Sequence, residues 1–156
     1  MTSLIPMAQT EFDAYIDNAI PAYAKEKVRS GQWGEAESLK LARASFDELL
    51  PQGLTTPDHY LFSIQSDDAV HLVGMIWIAA QTRADARIAY VYDVMVKPEY
   101  QRLGYATAAF QALEHEVRKL ELSGIALHVF GHNKSAQALY QKLGFWATNI
   151  NMFKKI

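Results

Sequence analysis

Cysteine is missing from all 156 residues. Its absence excludes disulfides, thiolate metal ligands and a cysteine nucleophile, and it suits a reducing compartment. Long apolar runs are also missing, because the longest, Met75 to Ala80, is far too short to cross a bilayer. The chain does not open on a basic segment followed by an apolar one and instead carries Glu11 and Asp13 early, so the expected location is cytoplasmic. Charge of one sign is not in excess: 15 Lys and Arg against 17 Asp and Glu leave a net charge of −2. Such a balance exerts no general pull on nucleic acid or anionic membranes, and neither is expected as a partner. There are no internal repeats, low-complexity tracts or interdomain linkers. The G-x-x-x-x-G-K-[ST] phosphate loop does not occur, which speaks against a nucleotide enzyme of that kind. His128 and His132 stand four apart but across a loop, so no metal site is expected.

What is present has ordinary globular proportions, with 50% apolar and 21% charged residues in a chain long enough for one domain with a real core. Ser3–Met7 reads as a short first strand. Phe12, Tyr15, Ile16, Ala19, Ile20 and Tyr23 then recur at three- and four-residue spacing, the mark of an amphipathic helix in which Pro21 signals a kink or an early end. After the Gly31–Gly34 loop a second helix runs through Leu39, Ala42, Phe46 and Leu49, and Pro51-Gln52-Gly53 stops it. From Tyr60 the period changes. Strands are expected at 60–65, 70–80 and 87–96, joined by turns at 66–68 and 81–86. A helix follows Gly104, then a strand at 125–130, a helix from Asn133 to Leu143, and a last strand at 145–154. The expected architecture is an α+β fold of three layers, a mixed and mostly antiparallel central sheet flanked by helices.

The stretch from Val94 to Thr107 carries the most chemistry. An apolar run ends at Pro98, which cannot donate to a sheet ladder, and a polar loop then leads into a helix at Gly104. The small residues Gly104 and Ala106 let backbone N–H groups approach a ligand closely, and the free amides of a helix start favour an anion such as pyrophosphate.

The segment Gln101-Arg102-Leu103-Gly104-Tyr105-Ala106 fits the Q/R-x-x-G-x-G/A signature of the GNAT superfamily of N-acetyltransferases, at the strand-to-helix position that family requires. His128–Asn133 after the next strand, and Ala136-Gln137-Ala138-Leu139-Tyr140-Gln141-Lys142-Leu143-Gly144-Phe145 beyond it, resemble that family's cofactor-side helix. The matches cover about the last seventy residues; the first sixty agree in helix order but not in motif. The resemblance implies a single acetyltransferase domain over 1–156, with 1–58 supplying acceptor-side helices and a loop and 60–156 the sheet and the acetyl-CoA core. It implies acetyl-CoA as the acetyl donor. The backbone of Val94, Met95 and Val96 would bond the pantetheine arm as an added strand. The amides of Arg102, Leu103, Gly104, Tyr105, Ala106 and Thr107 would hold the pyrophosphate, Gln101 would set the loop, Asn133 would bond the pantetheine, and Ala136 would leave room.

Transfer to an amine needs a base, because an amine with a pKa near 10 is mostly protonated at neutral pH. It also needs a donor for the oxyanion, expected from a main-chain N–H near Met95, and an acid for the departing thiolate. Tyr140 stands where the family commonly keeps that acid; the alternative is a core tyrosine at helical spacing with Ala136 and Leu143. His128, where some family members carry glutamate, is one base candidate, the alternative being a half-buried strand histidine. Asp93 is its rival, the alternative being a partner for a nearby donor. Trp33, Tyr23, Trp77 and Tyr92 are candidates for the acceptor pocket, Trp33 standing out between glycines and the two strand aromatics reading rather as core or wall residues, since aromatics in strands usually pack. The leading function is thus acetyl transfer to a primary amine of a small molecule or peptide, by direct attack in a ternary complex. A non-catalytic acyl-CoA-binding regulatory module is the alternative, against which Tyr140 and His128 argue. A homodimer is compatible with the sequence.

Overall fold

The change of hydrophobic period near Tyr60 divides the structure, a computed structural model describing all 156 residues, into a helical first third and a sheet with crossover helices. Strand β1 (Ser3–Pro6) leads to helices α1 (Gln9–Arg29) and α2 (Glu35–Leu49). Strands β2 (His59–Gln65), β3 (Leu72–Arg83) and β4 (Ala86–Val96) form a meander, followed by α3 (Tyr105–Lys119), β5 (Ile125–Leu127) and α4 (Lys134–Lys142). The five strands lie in the order β1-β2-β3-β4-β5, antiparallel except for the parallel β4–β5 pair. The expected mixed, mostly antiparallel sheet between helices is the fold observed.

Each face of the sheet has its own core. One gathers Ile64, Val73, Ile76, Ile78, Val91, Phe110, Leu113 and Val117 under α3. The other gathers Tyr15, Ile20, Ala42, Phe46, Met75 and Trp77 under α1 and α2. Successive strand residues point to opposite faces, so Met75 and Trp77 serve one core while Ile76 and Ile78 serve the other.

Four expectations need correction. α1 does not end at Pro21: Ala19, Ile20 and Ala24 are buried on both sides of the proline, and packing holds the helix to Arg29. β3 runs later and longer than expected, because its hairpin turn falls at Ala84-Asp85. β5 stops at Leu127 instead of Phe130, since β4 offers it only Ala89–Val91. The stretch 145–154 makes no strand; from Trp146 onward it is exposed and irregular.

The early end of β5 follows from a bulge. Ile78 pairs with Val91 but Trp77 pairs with Asp93, so Tyr92 is an extra residue in β4. A bulge bends its strand and breaks pairing locally, and β4 parts from β5 immediately beyond Val91. On its other edge β4 is held tightly. Gly74 of β3 lies opposite Val96, and a Cβ built there would stand 2.1 Å from the Met95 carbonyl oxygen. Only glycine permits that approach.

Candidate functional site

The parting of β4 from β5 leaves one edge of Val94–Val96 without a strand partner. Beyond it, Pro98–Tyr100 form a 3-10 turn, and the Gln101 carboxamide donates to the Val96 carbonyl at 2.9 Å, folding the loop back onto the strand. Arg102 and Gly104 both adopt left-handed backbone, with φ of 61° and 87°. At Gly104 this conformation opens α3 without a side-chain cap. The first helical bond is the Ala108 amide donating to the Gly104 carbonyl at 3.0 Å, and the consecutive amides of Arg102 through Thr107 have no acceptor in the protein. Of these residues, Arg102, Gly104, Tyr105, Ala106 and Thr107 line a concavity of about 200 Å³ together with Val96, Tyr100, Gln101 and Leu139. A Cβ placed on Gly104 would meet nothing within 4 Å, so the amides open onto free space. Converging free N–H groups at the positive end of a helix dipole make an anion cradle.

Helix α4 closes the other side of the gap. Asn133 caps it, its Oδ1 accepting from the Ala136 amide at 3.2 Å and from Ser135 Oγ at 3.3 Å, which leaves Nδ2 without a protein acceptor. The Tyr140 ring packs edge-on against Phe110 and Phe145, each at 5.6 Å. Its hydroxyl has no protein partner, and burial, reinforced by the Asp93 charge, pushes it up to about 12. The ring is thus a packing element and the hydroxyl a free donor.

Asp93, just past the bulge, accepts a 2.7 Å hydrogen bond from the Tyr15 hydroxyl of α1. Burial raises its carboxyl above the usual range, while the bonds from Tyr15 and from the Val94 amide oppose the rise. Burial, then the charge and hydrogen bond of Asp93, raise Tyr15 well above an ordinary phenol. Tyr15 was not among the residues singled out from sequence. Its signal was a polar tip on the buried stripe of α1, which must find a partner, and a carboxylate inside β4 was the one on offer.

His128 lies outside β5 and is exposed, its ring edge-on to Phe130 at 5.0 Å. Partial loss of water, then the nearby Lys27 charge, lowers its pKa. It is therefore not a half-buried strand histidine, the alternative that the sequence offered. His132 stacks on Phe130 and reaches across to Glu26 of α1, a link the sequence did not announce. No cluster of three or more His, Asp or Glu side chains is arranged to hold a metal ion.

The aromatic candidates separate. Tyr23 and Trp33 meet edge-on at 5.5 Å, with the Lys27 ammonium 5.6 Å and 5.3 Å from their ring centres. Trp77 is a correction: 2% exposed, it bonds His59 Nδ1 through its indole N–H at 3.0 Å and has no surface left for a ligand. Tyr92, the bulged residue, stacks on Trp77 at 4.8 Å and accepts from Gln81 through its hydroxyl. It covers the tryptophan and presents the outer wall.

No helix of the structure is long and apolar enough to cross a membrane. The sequence matches the family model described as "Acetyltransferase (GNAT) family" over residues 24–145. It is 37% identical to YycN of Bacillus subtilis (strain 168), named an uncharacterized N-acetyltransferase, over 98% of this chain and 97% of the relative. It is 31% identical to YdgE of the same organism, named likewise, over 99% and 98%. The crystal structure of YycN superposes with a TM-score of 0.94 at 36% identity, covering 100% of this chain and 99% of that one. Matched by that family model over residues 24–145 and by relatives aligned over nearly the whole of both chains, this chain belongs to the GNAT family of acetyltransferases, which use acetyl-CoA.

Proposed function

We propose that the chain is a cytoplasmic enzyme that transfers an acetyl group from acetyl-CoA to a primary amine of a small molecule or peptide, by direct attack in a ternary complex. The observation that carries this reading is the run of unpaired amides from Arg102 to Thr107, opening onto a concavity whose neighbouring sheet edge is also unpaired. An anion held there and an extended arm laid along Val94–Val96 satisfy groups that the protein itself leaves without partners. Arg102 adds charge to the pyrophosphate site, Leu103, Tyr105 and the Gln101-braced loop shape it, Asn133 Nδ2 bonds the pantetheine, and Ala136 leaves room beside it. Residues 60–156 form the donor core, and 1–58 supply the acceptor side, where Tyr23, Trp33 and Tyr92 wall the amine.

The chemistry follows the proton. The acceptor arrives as an ammonium, and the half-buried Asp93 carboxylate both attracts it and accepts its first proton, directly or through water. A raised carboxyl pKa makes a better base near neutrality. The amine nitrogen then bonds to the acetyl carbon, and a main-chain N–H near Met95 stabilises the charge developing on the acetyl oxygen. The C–S bond breaks and the electron pair leaves with sulfur. Tyr140, held protonated by its pKa of about 12, donates a hydrogen bond to that sulfur. Full transfer from so weak an acid to a thiolate is uphill by roughly three powers of ten against a reference thiol of about 8.5. The proton that ends on sulfur therefore comes, through Tyr140, from the second N–H of the acetylated amine. One further proton is released per turnover.

The test is thiol release from acetyl-CoA across a panel of polyamines, aminoglycosides, amino acids and peptide N-termini. Turnover on any class supports the enzyme and names its acceptor. Thermal stabilisation by acetyl-CoA with no turnover on any amine overturns it in favour of an acyl-CoA-binding module. Loss of the ascending limb of the pH–rate profile in His128→Ala, with the limb kept in Asp93→Asn, moves the base to His128.

A further inference from the structure

Lys27 is a cation that the fold holds in place and leaves without a counter-charge. The amides of Gln32 and Trp33 both donate to its carbonyl, at 3.0 Å and 3.3 Å. The loop after α1 is thereby folded back, and its Trp33 ring lies 5.3 Å from the lysine ammonium. Tyr23, one turn earlier on α1, flanks the same ammonium at 5.6 Å. Two aromatic rings fix the position of the charge but do not neutralise it. The residue is half-buried, yet it joins none of the chain's ion pairs. The carboxylate next to it in sequence, Glu26, is taken by His132. The two rings that wall the amine thus already carry a cation of the protein's own.

That charge stands on the acceptor side of the gap. β4 and β5 part after the Val91–Leu127 pair, so His128 is the first residue past the parting. Lys27 is close enough to His128 that its charge, second to burial, lowers the histidine pKa. The bulge meanwhile turns Tyr92 and Asp93 onto the face that α1 covers, where Tyr92 stacks on Trp77 and Asp93 bonds to Tyr15. One helix thus brings two opposite poles to this side of the sheet, a carboxylate at the Tyr15 end and an ammonium at the Lys27 end. Tyr15 and Lys27 lie about three turns apart, roughly 18 Å along the helix axis, and their side chains close part of that span. An acceptor drawn to Asp93 as its ammonium leaves Lys27 to be met by a negative group further along the same molecule. An α-carboxylate, two bonds from the nitrogen, is too near the amine to reach both poles.

We propose that the acceptor is a primary amine carrying an anionic group, a carboxylate or a phosphate, several bonds from the reacting nitrogen, and that Lys27 binds that group. This rests on the reading of the chain as an amine acetyltransferase and supplies the charge of its substrate. A charge-assisted hydrogen bond from an ammonium already held in place favours such an acceptor. The same ammonium repels a second amino group at that position, so polyamines and aminoglycosides are expected to be poor acceptors.

The test is thiol release from acetyl-CoA with four acceptors of matched length: ω-aminohexanoate, ω-aminohexyl phosphate, ω-aminohexanamide and diaminohexane. The better of the two acids should exceed the amide in kcat/KM by about 30-fold, the worth of a hydrogen bond to a charged group, with the diamine lowest. Which acid is better names the anion. Lys27→Met, which keeps the stem against the rings, should erase that advantage, and the loss should fall on KM. Lys27→Arg should keep the preference, and Lys27→Glu should turn it toward the diamine. A wild type that takes the amide or the diamine as well as either acid overturns the proposal, and so does a preference that survives Lys27→Met. Turnover of other amines with none on either acid also overturns it, while leaving the transferase reading in place. Acetyl-CoA bound without turnover on any amine brings down that reading and this inference with it.

Discussion

The two faces of the sheet are built from different materials. Under α3 the buried core is aliphatic apart from Phe62 and Phe110, and its other aromatics, Tyr60, Tyr100, Tyr105, Tyr140 and Phe145, are confined to the rim. Under α1 and α2 it is aromatic, with Tyr15, Phe46 and Trp77 buried and Phe12, Tyr23, Trp33 and Tyr92 packed around them. Tyr15, Tyr23 and His59, on the aromatic side, are also among the groups whose pKa values burial moves. The difference teaches a division of labour. The aliphatic face is a chassis that holds α3 rigidly against the sheet and presents the amides at its start. The aromatic face carries polar tips on apolar rings, and there the structure can vary its electrostatics without losing its packing.

That contrast can be attacked most directly at Leu113, which is fully buried under α3. Leu113→Ala should cost about 3 kcal/mol in denaturant unfolding, the usual range for such a truncation. The folded fraction should keep its acetyl-CoA affinity; a cost below about 1 kcal/mol would contradict the chassis role. Next in size is Gly104→Glu. A carboxylate aimed into the cradle, on a residue at φ 87°, should weaken acetyl-CoA by about 100-fold or more, about 2.7 kcal/mol in calorimetry. Secondary structure should be retained, and unchanged affinity would remove the loop from the donor site.

Tyr140→Phe separates the ring from its hydroxyl. Turnover should fall about 30-fold while the acetyl-CoA Kd stays within about twofold, because Phe keeps the contacts with Phe110 and Phe145. Equal losses in both would make Tyr140 a packing residue alone. The smallest expected effect is on stability at Asp93. Its carboxyl is raised in the folded state, so the native protein binds that proton more tightly than the unfolded chain does. The wild type therefore loses stability as pH rises from the unfolded carboxyl value through the folded one. Asp93→Asn escapes this loss and should be more stable by about 1 kcal/mol at pH 7.5, with no gain at pH 3.5. An equal difference at both values would show that ionisation plays no part.

Both faces differ in how readily the sequence discloses them. The donor side is local: Gln101, Arg102, Gly104, Asn133 and Tyr140 lie in two short segments whose spacing alone places them on a loop and a helix. Trp77 and the Tyr15–Asp93 bond depend on contacts across the sheet, with 78 residues separating the latter pair, and no local pattern reports them. The bulge at Tyr92 is equally silent, because an extra residue in an apolar run leaves its composition unchanged. The expected strand over 145–154 has a clear period of two but no partner within the chain. Periodicity states what a segment needs, not what it finds.

Gly74 shows how much of the architecture hangs on a vacancy the size of a methyl group. With any side chain there, the Met95 carbonyl would have to retreat, and the far edge of β4 would be driven into the gap that separates it from β5. The width of that gap is therefore calibrated from behind, by a residue outside the loop-and-helix signature. In a library randomised at position 74 and sorted for folded, donor-binding protein, the survivors should be almost uniformly glycine, a fingerprint as narrow as that of Gly104 but written for backbone clearance instead of ligand contact.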